Sequence, residues 1–143
     1  ARLTVSGRAS GFSYTIGSVA ERRVVHLEVA PNSHHVREIQ GWYYHANHYR
    51  ELSGVEQVVT PSSQARAQRA EGILEQNPPE SSEGILSILG DRADQRYPIY
   101  RTATPPDRDA TLCTALFDLD ARTLRIYTGH PADAATEVIE LRL

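Results

Sequence analysis

The chain has 143 residues, of which 40% are hydrophobic and 23% charged, and its net charge at pH 7 is −3. This is the composition of an ordinary globular protein, and a weakly acidic balance without a basic block argues against a nucleic-acid partner. No apolar run approaches the roughly 18 residues that a membrane span needs, so no membrane partner is expected.

The first third of the sequence has the pattern of β-structure. Residues 12–18 (FSYTIGS) are rich in aromatic and β-branched residues, and residues 24–29 form a second such run after a polar turn at 20–22. Two runs joined by a short polar turn predict a β-hairpin. Residues 35–39 and 42–45 are two further predicted short strands.

The middle of the chain changes to helical spacing. Thr60 is a suitable N-cap for a helix that ends before Pro78, because proline lacks the N–H that a helix interior requires. Ser81 or Ser82 caps a second, shorter helix, and Gly90 ends it. The pattern therefore predicts two consecutive helices.

The last third returns to strands after a loop rich in charge and proline at residues 91–109. Residues 111–119 alternate between two faces, and strands at 124–126 and 139–143 follow. The order of strands, then two helices, then strands predicts an α+β fold with antiparallel sheets and the helices grouped on one face. We expect a single domain over residues 1–143.

Residues 45–49 (HANHY, the HANHY segment) contain most of the side chains that could bind a ligand or take part in a reaction. His45 and His48 are three residues apart, but a zinc site needs three or four ligands, so the sequence predicts no metal site. His34 and His35 would add to this pair only if the fold brought them together. Asn47 either caps a turn or donates its side-chain N–H to a developing oxyanion, as acyl-transfer sites require.

Two residues of the last third have alternative interpretations. Arg101 is either a surface arginine or a fixed guanidinium that pairs with a carboxylate of a substrate or of a neighbouring segment. Cys113, the only cysteine, lies in the predicted strand 111–119 and is expected to be buried and inert. A chain without an internal disulfide fits a reducing, cytoplasmic compartment.

The ordered set of segments resembles the C-terminal half of the penicillin acyltransferase-type N-terminal-nucleophile hydrolases, a cysteine-peptidase-like family. The shared features are a strand hairpin that ends in a glutamate, an H-x-N-H motif, a helix with S-S-x-x-R-x-x-R, a P-I-x-R loop, a T-L-x-T strand and a hairpin that ends in G-x-P. Here they are Glu28 and residues 45–48, 62–69, 98–101, 111–114 and 129–131. The resemblance spans about residues 7–133. By composition alone, the two arginines of the helix motif would lie on a solvated face.

The resemblance implies part of a four-layer αββα sandwich and a cofactor-free enzyme. In that family an N-terminal cysteine attacks an amide or thioester, with its own α-amino group as base. The resemblance implies Asn47 as the oxyanion donor, with Arg101, His45 and His48 contacting the small-molecule substrate. Residue 1 is alanine, so we expect the cysteine on a separate N-terminal chain or segment. The resemblance also implies autoproteolytic processing, and we expect an oligomer.

Two other functions stay open from the sequence. One is a non-catalytic module on the same half-fold that binds a small ligand or a subunit, and the other is a metal-binding protein that uses its histidines. A second chain that begins with cysteine would favour the enzyme, and stoichiometric zinc would favour the metal-binding protein. The residues do not identify the acyl donor or acceptor.

Overall fold

The computed structural model describes residues 11–143. The first residues of the predicted resemblance, 7–10, lie outside this range. The chain divides into two compact units, of which the first ends at Val59 and the second begins at Thr60. None of the helices that the structure describes is long and apolar enough to cross a lipid bilayer.

The first unit contains a three-stranded antiparallel sheet in the order β1-β2-β3. Strand β1 is Phe12–Ser18, β2 is Arg23–Val29 and β3 is His34–Glu38. The predicted hairpin is confirmed, and its register pairs Phe12 with Val29. The predicted third strand is confirmed with bounds one residue earlier.

The strand predicted at residues 42–45 is wrong, since this segment has no regular structure. Gly41 adopts a positive φ of 73° directly before it, which turns the chain away from an extended path. The rings of Tyr43 and His45 then pack against His26 of strand β2. Side-chain packing on a sheet thus replaces strand pairing in this segment.

The central strand β2 divides its side chains between the two faces of the sheet. His26 and Glu28 point to one face, and they are 2% and 0% exposed. Leu27 and Val29 point to the other face and are also buried. The second half of β2 is therefore buried on both faces, with two polar side chains on one face and two apolar side chains on the other.

The second unit begins with the two helices. Helix α1 is Pro61–Gln76, and the Thr60 side chain accepts a hydrogen bond from an N–H of the first turn, as the sequence predicts. Helix α2 is Ser82–Leu89, and Ser81 is its N-cap. The buried face of α1 consists of small or aliphatic residues at helical spacing, Ser63, Ala67, Ala70 and Leu74.

A second three-stranded antiparallel sheet, in the order β4-β5-β6, follows the helices. Its strands are β4 (Thr114–Asp118), β5 (Thr123–Tyr127) and β6 (Val138–Arg142). Strand β4 is shorter than predicted because its pairing with β5 starts at Thr114. The α+β class with antiparallel sheets is confirmed, whereas the four-layer sandwich and the single domain stay predictions.

The expected burial of Cys113 is wrong, because this residue precedes β4 and is exposed. The predicted alternation of the strand is correct, but the face that carries Ala115 and Phe117 is the exposed one. Phe117 is 59% exposed. An alternating pattern separates two faces of a strand without identifying which of them another element covers.

Candidate functional site

The carboxylate of Glu28 organises the segment that follows HANHY. Its Oε1 accepts the backbone N–H of Arg50 at 2.7 Å, and its Oε2 accepts those of Glu51 and Leu52 at 2.9 and 2.8 Å. Burial acts to raise the pKa of Glu28, but the three backbone N–H groups together lower it below its usual value. The charged carboxylate therefore fixes three consecutive amides against strand β2.

His45, the first residue of HANHY, lies beside this carboxylate. Its Nδ1 is 3.5 Å from Oε1 of Glu28, and its side chain is 16% exposed. Its ring centroid is 4.7 Å from that of His26. Burial lowers the pKa of His45 to about 4, with a further lowering from His26, and the nearby Glu28 only partly opposes this. The imidazole is therefore neutral at pH 7.

Sequence reasoning did not find His26 and Tyr43, which complete the surroundings of His45. Nδ1 of His26 lies 3.1 Å from the Thr15 hydroxyl, and the His26 and Tyr43 ring centroids are 4.9 Å apart. Burial also lowers the pKa of His26. The only signal in the sequence was a histidine among the apolar residues of β2, where a buried imidazole requires a polar partner.

Asn47 is exposed, whereas its neighbours in the segment are half-buried. Two residues further on, the Tyr49 hydroxyl donates to the carbonyl of Val29 at 2.9 Å, and the Tyr49 N–H donates to the Gln57 side chain at 2.6 Å. The chain is therefore attached to the first unit on both sides of Asn47, at His45 and at Tyr49. This arrangement presents the Asn47 amide at the surface from an anchored loop.

Arg101 belongs to the second unit, where two carboxylates hold its guanidinium. Nε donates to Asp107 Oδ2 at 2.9 Å, and Nη2 donates to Asp107 Oδ1 and Asp109 Oδ2, each at 2.5 Å. The backbone N–H of Arg101 donates to the Thr111 hydroxyl at 3.0 Å. Of the two interpretations of Arg101, the fixed guanidinium paired with a neighbouring segment is the one present in the structure.

The S-S-x-x-R-x-x-R helix motif joins the same network. The Ser62 hydroxyl donates to Asp107 Oδ2 at 2.8 Å, and Arg66 Nε donates to the Ser62 hydroxyl at 3.3 Å. Arg69, one turn further along α1, pairs with Asp91 through two hydrogen bonds. Ser62 and Arg69 of this motif therefore bind the loop that follows the helices, while the Arg69 side chain stays 40% exposed to solvent.

The electrostatics of this network favour a permanently charged Asp107. Its hydrogen bonds from Arg101 hold the pKa of Asp107 at about 2, although burial opposes this. Burial lowers the pKa of Arg66, and the neighbouring charge of Arg101 lowers it further. The second unit thus contains two arginines near one buried carboxylate. Hydrogen bonds between charged groups restrict the conformations of these side chains.

Comparison with protein-family models gives a match over most of the chain. A family model described as acyl-coenzyme A:6-aminopenicillanic acid acyl-transferase matches residues 1–133. This confirms the resemblance that the sequence motifs indicate. The matched range includes Glu28, the HANHY segment and the network around Arg101. No curated protein matches the chain.

Proposed function

The chain belongs to the acyl-coenzyme A:6-aminopenicillanic acid acyl-transferase family, and from this premise we propose that it is part of an enzyme that hydrolyses amide bonds or transfers acyl groups. In this proposal the substrate is a small-molecule amide or thioester. The chain contributes oxyanion and substrate contacts, and a cysteine nucleophile comes from a segment outside residues 1–143.

The proposed reaction starts with a cysteine whose α-amino group is free. The amine takes the thiol proton, and the sulfur attacks the carbonyl carbon to form a tetrahedral oxyanion. Collapse of this intermediate expels the protonated amine or thiol and leaves a thioester, which water or a second amine then cleaves. Cys113 is an internal residue whose nitrogen is part of a peptide bond. It therefore has no free α-amino group and does not fit this role.

The observation that carries the proposal is that Glu28 contacts the chain on both sides of Asn47. A side-chain amide stabilises an oxyanion only if it is already in place when the charge develops. Glu28 fixes the amides of residues 50–52, and His45 lies beside the same carboxylate. Asn47, exposed between these anchors, is the proposed oxyanion donor, and His45 and His48 are proposed substrate contacts.

Arg101 is the second proposed site residue from the family pattern. Its guanidinium is held by Asp107 and Asp109, which leaves its orientation fixed and its charge largely compensated. Such an arginine positions neighbouring groups more readily than it neutralises a substrate carboxylate. We therefore propose that Arg101 shapes its surroundings through this network.

One face of the second sheet is apolar and exposed, which supports association with another polypeptide segment or chain. Phe117, Ile139 and Leu141 lie on paired strands with their side chains on one face, and each is at least 45% exposed. Strands β1, β3, β4 and β6 are the edge strands of the two sheets that the structure describes. Apolar faces and open edges favour association with a further segment or with a second copy of the chain.

The test is reconstitution of activity. The purified protein is characterised by the mass and N-terminal sequence of every chain, and amide and thioester hydrolysis is assayed for residues 1–143 alone and with a segment that begins with cysteine. The matched control is the same segment with that cysteine changed to alanine. We expect turnover only with the cysteine-bearing segment.

Association is measured separately by light scattering, so that a failed assay and a failed assembly can be distinguished. Phe117→Gln should reduce self-association of the chain, whereas Leu112→Gln, at an 87% exposed position just before β4, should not. Turnover by residues 1–143 alone, or equal turnover with the alanine segment, would contradict the proposed division of roles. Assembly without turnover would favour a non-catalytic binding module.

A further inference from the structure

Among the residues that the structure describes, three neighbouring aromatic or imidazole rings carry a buried polar atom without a hydrogen-bond partner. These atoms are Nε2 of His26, Nδ1 of His45 and the hydroxyl of Tyr43. Buried polar atoms nearly always have a partner, and an unpaired group often marks the place of an ordered water or an ion. We propose that His26, Glu28 and His45 bind a divalent transition-metal ion of the zinc class.

The positions of the three side chains fit such a site. Each residue offers one ligand atom, and these atoms all lie within 4.8 Å of one another. Zinc–nitrogen bonds of about 2.0–2.1 Å place tetrahedral ligand atoms about 3.4 Å apart, so the cluster has to close by at most about 1.4 Å. Two imidazole nitrogens and one carboxylate oxygen are ligands that zinc accepts, with a fourth position for water.

The surroundings of the cluster resemble those of metal-bound histidines. A ligating histidine usually donates its other ring N–H to a protein oxygen, which fixes the ring and the tautomer. Nδ1 of His26 is 3.1 Å from the Thr15 hydroxyl. With the proton on Nδ1, this contact leaves the lone pair of the buried Nε2 without a donor, and a metal ion supplies the missing electron-pair acceptor.

Glu28 also keeps a position for a metal. Its Oε1 accepts one backbone N–H and its Oε2 accepts two, and a carboxylate oxygen has two lone pairs. Oε1, which faces His45, therefore retains one lone pair. A bound cation would also compensate the negative charge of a side chain that is 0% exposed.

No metal site was predicted from the sequence because the candidate ligands were the two histidines of HANHY together with His34 and His35. His48 is not a member of the cluster, and the ligands from β2 were not recognised. The inference goes beyond the proposed function and does not depend on it, because metal binding is measured on this chain without any turnover.

The experiment is a metal titration of the full 143-residue chain after treatment with a chelator. Zn²⁺ is titrated by calorimetry, and Co²⁺ by its visible absorption, which is intense only in tetrahedral sites. We expect one equivalent per chain, abolished by His45→Gln. Thr15→Val, which leaves all ligands in place, should weaken binding about 10- to 100-fold, as loss of a hydrogen bond to a ligating histidine typically does.

The matched control is His34→Gln, since His34 is exposed and lies on the opposite face of the sheet from Glu28. It should bind metal like the unmodified chain. Circular dichroism of each metal-free variant checks folding, and Thr15→Val decides the question if His45→Gln does not fold. The absence of stoichiometric binding, unchanged binding in Thr15→Val, or loss of binding in His34→Gln would overturn the proposal.

Discussion

Nδ1 of His45 lies 3.5 Å from Oε1 of Glu28, so the histidine segment and strand β2 meet at a carboxylate that has no solvent exposure. The same carboxylate accepts the N–H groups of residues 50–52. A single side chain of a central strand therefore determines the path of an otherwise irregular segment. Several expectations depend on this contact and on the corresponding carboxylate of the second unit, Asp107.

Glu28→Gln should destabilise the protein. Glutamine keeps one acceptor oxygen and turns the other into a donor that faces backbone N–H groups, so at least one buried N–H loses its partner, at a cost of about 1–3 kcal/mol. The measurement is urea denaturation, with hydrogen exchange at residues 50–52. Glu38→Gln, at an exposed carboxylate on β3 that pairs with Arg23, is the control and should change little. Equal effects of the two substitutions would contradict this role of Glu28.

The free energy of unfolding should decrease as the pH is lowered through the range in which Asp107 takes up a proton. The pKa of this carboxyl is about 2 in the folded protein, against an ordinary value of 3.8. Above about pH 4 its contribution is fully present, and it is lost as the pH falls towards 2, because the unfolded chain takes up the proton first. Unfolding followed across this range should show a shallower pH dependence in Asp107→Asn than in the unmodified chain, and an equal slope in the two would contradict this role of Asp107.

Arg101→Lys should lower kcat/KM of the reconstituted enzyme by about tenfold. Lysine keeps the charge but cannot reproduce the two-point contact with Asp107, and one hydrogen bond between charged groups is equivalent to about 1.5 kcal/mol. Arg108→Lys, in the same loop at an exposed position, is the control. If kcat/KM is the same in both variants, Arg101 has no role in turnover.

Asn47→Ala should lower kcat of the reconstituted enzyme by about 10²–10³, as the loss of one oxyanion donor typically does. The substitution should change the free energy of unfolding less than it changes the activation free energy of the reaction. Steady-state kinetics together with thermal unfolding distinguish the two effects. Asn32→Ala, in the exposed turn before β3, serves as the control. A folded Asn47→Ala enzyme with full activity would remove the proposed role.

Cys113 should react readily with a maleimide at neutral pH, in contrast to the inert thiol expected from the sequence. The structure places it outside strand β4 with an exposed side chain, and access is one requirement for thiol reactivity. Labelling is followed by mass spectrometry, with Cys113→Ser as the unlabelled control. Activity of the reconstituted enzyme should survive complete labelling. Loss of activity in step with labelling would indicate that this position lies at the site.

Much of the local structure could be predicted from the amino-acid sequence. Turn residues and alternation predicted the β1–β2 hairpin, and Thr60 marked the start of α1 through its capping side chain. These features depend on interactions between residues that are close in sequence. The ordered motifs likewise predicted the family, since their spacing along the chain is itself the signal.

The tertiary structure alone decided which side chains meet. Residues 42–45 were predicted to pair as a strand, but their rings pack on His26 instead, and the sequence contains no local signal for a contact over that separation. In the same way, Ser62 and Arg101 looked unrelated until the fold brought both to Asp107. Such long-range contacts depend on how strands and loops come together. Burial and the hydrogen bonds that each group makes then together determine its charge.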